Sequence, residues 1–133
     1  MSIQRRGFLT LTTAFACLQF VGNAQAETSE IRTELQVALQ RHLERSQIDG
    51  AIHFVDQDTA TVQKLYPIKA HPLIFKGNNF FVMCAELRDE QGEKYEVDFY
   101  LVQARRGYRV VMTEIKNRKN LLKMMRAGNV KKF

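Results

Sequence analysis

The chain has 133 residues, 45% of them hydrophobic and 26% charged, which leaves room for one small domain and excludes a second. Two cysteines are too few for a disulfide framework, and a domain of this size needs neither bridge nor metal to fold. The net charge of +6 is uneven: residues 27–104 hold 8 Lys and Arg against 13 Asp and Glu, whereas residues 105–133 hold 10 against 1. A basic end of that kind predicts contact with anionic lipid, an acidic partner surface or the acidic part of the same molecule.

Residues 1–26 read as a cleavable export signal. Arg5 and Arg6 charge a short leading region that has no acid, and an apolar run follows from Phe8 to Val21. Ala24 and Ala26 then place small side chains where a signal peptidase reads them. Cleavage is expected before Glu27, leaving a single domain over 27–133. Thr10, Thr12 and Thr13 dilute the apolar run, which is also shorter than the ~20 residues a spanning helix needs. A lipoprotein would require Cys17 as the acylated residue, and bulky Phe15 fits that pattern badly. Across Arg5, Arg6, Phe8 and Leu9 the segment resembles the twin-arginine (Tat) signal family. That resemblance implies a protein exported already folded, often with a cofactor or partner bound. Gln4 and Thr10 depart from the family's pattern and leave the Sec route open. Either route predicts a periplasmic or secreted location, which counts against nucleic acid as a partner.

The expected elements of the remaining domain begin with a helix over about 29–46. Thr28 and Ser29 are read as caps, and Ile31, Leu35, Ala38, Leu39 and Leu43 draw one apolar stripe. Asp49-Gly50 stops it. Strands are expected at 51–55 and 61–66, joined by a turn in which Asp56 bonds nearby amides. Pro67 and Pro72 bracket an irregular or edge piece. After a brief strand at 73–75 and the Gly77-Asn78-Asn79 turn, three stronger strands follow at 80–87, 95–103 and 108–115. The domain closes with a short helix, Asn117 near its start, Leu121, Leu122, Met124 and Met125 as its stripe and Gly128 as its stop. Val130 to Phe133 trail behind. The resulting expectation is an α+β domain: one helix packed on a curved antiparallel meander of about 4–5 strands, with a short C-terminal helix. In element order this resembles the cystatin-like and NTF2-like folds, which implies a cradle for small molecules, peptides or partner strands.

Candidate site residues follow from that picture. Phe81, Asp98, Tyr100 and Tyr108 are the expected ligand-binding residues of a sheet cleft. Arg118, Lys119, Lys123 and Arg126 on the last helix are the expected contacts to an anionic surface. Asp98 is read as facing water on the open side of the sheet; facing a pocket, it and Glu86 could serve as acid or base. Cys84 is read as a small buried hydrophobe. His42, His53 and His71 lack metal-ligand spacing, although convergence with Met83 or Cys84 would suit copper. The acidic run Asp89, Glu90, Glu93 and Glu96 lacks a calcium loop's spacing and is read as a solvated hairpin. No catalytic residue, metal or cofactor is assigned. The expected function is an exported, non-catalytic binding or accessory domain for a protein or small molecule. The alternatives are a protein that associates with anionic membrane, and a small enzyme or metal-handling protein.

Overall fold

The computed structural model describes residues 19–133, with side chains from 23 onward. Arg5, Arg6 and Cys17 lie outside the described residues. The expected stripe makes α1 (Gln19–Arg45) amphipathic and buries Leu35, Ala38, Leu39 and Leu43. Each buried leucine contributes on the order of 1.5–3 kcal/mol. The helix starts well before the expected position 29. Thr28 and Ser29 are therefore internal and not caps: the Thr28 hydroxyl donates to the Ala24 carbonyl at 2.9 Å, and the Ser29 carbonyl accepts from the Thr33 hydroxyl at 3.0 Å. From Asn23 to Glu30 only Thr28 is even half-buried, so this first part projects past the core. Among the described side chains, cleavage before Glu27 would remove none from the core.

Strands β1 (Gln47–Ile48), β2 (Ala51–Asp56), β3 (Thr61–Lys76), β4 (Phe81–Arg88), β5 (Lys94–Gln103) and β6 (Tyr108–Ile115) lie side by side in chain order, each antiparallel to the next. Helix α2 (Lys119–Arg126) follows, and β7 (Lys131–Lys132) returns to pair with β3. The class is the expected α+β, with a helix at each end of an antiparallel meander. The described residues form seven strands, which corrects the expected four or five. Strands β1 and β7 are two residues each, too short to show a period. Val130 to Phe133, expected to trail, form an ordered clasp. The Phe133 amide donates to the Ile74 carbonyl at 2.9 Å, its ring meets Phe81 at 5.2 Å, and Arg32 stacks on that ring and bonds its main-chain oxygen.

The two prolines fall inside one continuous strand. Thr61 to Leu65 of β3 pair with β2, and Tyr66 to Lys76 pair with β4. Between Pro67 and Lys69 the strand carries one residue more than β4, and between Ala70 and Ile74 two more. Both prolines sit at these slips, where the ladder has lost its donors in any case. The stretch from Tyr66 to Ile74 pairs with β4 alone, so the expected edge character is present, within a longer strand than expected.

Alternation divides the sheet into two buried faces. Leu65, Ile74, Phe81, Met83, Leu87, Val97, Phe99 and Leu101 pack under α1. Phe75, Val82, Cys84 and Tyr100 pack with Leu121 and Val130 on the other face. On α2 only Leu121 is fully buried; Leu122 and Met125, members of the expected stripe, are 48% and 36% exposed. An eight-residue helix has too little surface to bury both sides of its apolar stripe.

Candidate functional site

Asp98 does not face water. It is on β5, alternating with Val97 and Phe99, so it points to the α2 side of the sheet, where it is completely buried. Arg118, the residue just before α2, reaches down to it: one terminal nitrogen donates to Oδ1 at 3.0 Å and Nε to Oδ2 at 3.3 Å. The other terminal nitrogen meets Glu96 at 2.7 Å. Cys84, opposite Asp98 in the β4–β5 register, donates its thiol hydrogen to Oδ1 at 2.9 Å and accepts from Arg118 at 3.0 Å. Bonding to Asp98 raises the Arg118 pKa further still above its ordinary value. Burial, then the bond to Asp98 and its charge, push the Cys84 thiol up to about 12. The carboxylate thus works as an anchor. It ties the start of α2 to the middle of the sheet.

Pinned there, α2 leaves a groove of about 630 Å³ between itself, β5 and β6. Phe80, Tyr100, Val111, Met112 and Met124 supply apolar surface. The Phe80 and Tyr100 rings lie 6.1 Å apart. Lys123 lines the helix wall, and Glu114 with Asn120, bonded at 2.9 Å, closes the polar end. Burial, then the charge of Glu114, push the Tyr100 phenol up to about 12, so it stays protonated and donates toward Glu114 at 3.5 Å. Val111 and Met112 are adjacent yet both line this groove, because β6 carries an extra residue opposite the Tyr100–Leu101 step. They are 62% and 45% exposed.

The four expected ligand residues are split by the sheet. Asp98 and Tyr100 lie on the α2 face. Phe81 and Tyr108 lie on the α1 face, with their rings edge-to-face at 5.5 Å. Of the expected basic contacts, Lys119, Lys123 and Arg126 are exposed along α2, whereas Arg118 is held by Asp98 and Glu96. Sequence reasoning passed over Phe80, Met112, Glu114 and Asn120. The run Val110-Val111-Met112 was the available signal, because three apolar residues in a row break a period of two and mark a bulge.

The histidines stay apart. His42 meets Phe99 edge-to-face at 5.8 Å, His53 bonds the Ala51 carbonyl, and His71 is in the second β3 slip. Among the described residues no group of three His, Cys, Asp or Glu could hold a metal ion, and no helix is long and apolar enough to cross a membrane. The acidic hairpin is organised by Asp89, whose carboxylate accepts from the Gln91 and Glu93 amides and the Tyr95 hydroxyl. Compared with known protein families, curated proteins and solved structures, the chain finds no match.

Proposed function

We propose that this chain is an exported binding domain whose working surface is the groove beneath α2. The occupant that suits it is a small apolar molecule with an anionic end. One observation carries the reading: exposed Val111 and Met112 continue the Phe80–Tyr100 floor beside Lys123, the member of the α2 cation row that lines the groove. Lys119, Lys123 and Arg126 recur at i, i+4 and i+7, on one side of the helix. Apolar surface left open next to charge is favourable for a ligand that is itself divided in this way. The cavity also falls within the ~300–1,000 Å³ typical of small-molecule sites. The element order supports the same use, through its resemblance to the cystatin-like and NTF2-like cradles.

Dodecanoate is the probe. Titrated into the full chain and followed by calorimetry, it is expected to bind saturably. Met112→Asp should weaken it by about tenfold or more, since it sets a carboxylate against an apolar chain. Lys123→Gln should weaken dodecanoate and leave dodecanol unchanged. Absence of saturable binding, or indifference to Met112→Asp, overturns the reading. A second reading is docking on anionic membrane, favoured by exposed Leu122 and Met125 beside the same cations. Salt-sensitive vesicle binding that survives Met112→Asp would select it.

The export half rests on the leading segment: twin arginines, an apolar run and small residues before Glu27. Mass spectrometry of the protein from its own host is expected to find a chain beginning at Glu27 in the periplasm or medium. An intact N-terminus on a cytosolic species would overturn it.

A further inference from the structure

On the face of the sheet opposite this groove, α1 and the β5–β6 hairpin line an open cavity of about 440 Å³. Arg41, Arg45, Arg106 and Arg109 line it together with His42 and Tyr108. No carboxylate is among its lining residues. Among the described residues none of these four arginines forms an ion pair, in contrast to Arg118 with its two acids.

Part of this charge has a local explanation. His42 and Arg45 occupy the last turn of α1, where cations suit the negative end of the helix dipole. That does not account for Arg106 and Arg109, which arrive from a separate element. Arg106 is carried by the tight hairpin turn, closed by the Ala104 amide to the Gly107 carbonyl at 2.9 Å, with Gly107 at a φ of 67°. Folding therefore brings like charges together from two directions. All four are exposed, so water screens part of their repulsion, and an anion between them would offset more of it.

We propose that this cavity binds a phosphate-type oxyanion, either inorganic phosphate or the phosphoryl group of a phosphomonoester. Guanidinium groups present paired donors in a fixed plane, which match the oxygen edges of a tetrahedral anion two at a time. A cleft lined by one sign of charge also concentrates its counter-ion. Arg41 and Arg45 stand one helical turn apart on α1, and Arg106 and Arg109 line the cavity from the hairpin side, so both walls carry guanidinium groups. Tyr108 adds a hydroxyl donor. Burial lowers the His42 pKa, so near neutral pH the attraction comes from the arginines. Glu34 lines the adjoining cavity, which shares Arg41, Arg106 and Tyr108.

Calorimetric titration of the full chain with inorganic phosphate at low ionic strength tests this, with the thermal unfolding midpoint as a second readout. One saturable site and a midpoint that rises with phosphate are expected, because a ligand of the folded state stabilises it. Arg41→Gln and Arg106→Gln should each weaken binding by about tenfold or more. The charge-matched pair Lys119→Gln and Lys123→Gln, on the other face, should leave it unchanged. Glycerol phosphate and vesicles containing phosphatidate separate the sources. Arginine-dependent binding of the first identifies a soluble phosphate, and of the vesicles alone a lipid headgroup; either retains the site. No saturable binding of any of the three overturns the proposal, as does binding lost in the lysine pair and kept in the arginine variants.

Discussion

Arg118→Met is expected to lower the unfolding free energy by about 2–3 kcal/mol at neutral pH, read from the urea midpoint at unchanged slope. The variant leaves the Asp98 carboxylate in the sheet interior with only the Cys84 thiol as partner. Removing one member of a fully buried pair costs about 3–5 kcal/mol, mostly as the penalty of the charge left behind. The figure here is lower because Arg118 keeps 37% exposure, and water can reach part of the vacated space. The double variant Asp98→Leu with Arg118→Met removes both charges and is expected to regain most of the loss. If the single variant were as stable as the parent, Asp98 would not be the anchor described above. If the double variant were no better than the single, the loss would lie in packing and not in the stranded charge.

Cys84 is expected to resist thiol reagents for as long as the fold stays closed. In a Cys17→Ser background it is the sole thiol. The thiolate is the reactive form, and burial with Asp98 alongside holds the Cys84 pKa at about 12. At pH 8 the thiolate is then roughly one part in ten thousand, so labelling should run at least ~10³-fold slower than for an unstructured cysteine. Unfolding in urea should abolish the protection. The same shift fixes the sign of the pH dependence. A group whose folded pKa is raised contributes stability that is complete below its unfolded value and is lost as pH climbs to the folded one. For Cys84 that window is from 9.0 to about 12, and for Tyr100 from 10.0 to about 12. Stability should therefore fall through this alkaline range, and Cys84→Ala should flatten the fall. Rapid labelling of the folded protein at pH 8 would show that the thiol is open to solvent.

Local pattern was sufficient for the elements that carry their own period. The α1 stripe Leu35, Ala38, Leu39 and Leu43, the turn held by Asp56, and the strands β4 to β6 follow from spacing and side-chain chemistry that neighbours in sequence supply. The bonds from the Asp58 and Thr59 amides to the Asp56 carboxylate, at 3.0 and 3.3 Å, are the expected turn contacts. The start of α1 was missed because Thr28 and Ser29 serve equally as caps or as internal residues bonded to a preceding carbonyl. Which of the two occurs depends on whether the chain before them is helical.

The amino-acid order by itself determined the α+β class, with a helix at each end of an antiparallel sheet, because periods of 3.6 and 2 are written into consecutive residues. It also determined the concentration of positive charge after residue 104. Only the tertiary structure decided that the Asp98 carboxylate is fully buried, that Arg118 is spent on it, and that Arg41, Arg45 and Arg106 line one cavity. Each of those depends on contacts between residues far apart in the chain, and such contacts are selected by packing over the whole sheet, which no local window contains.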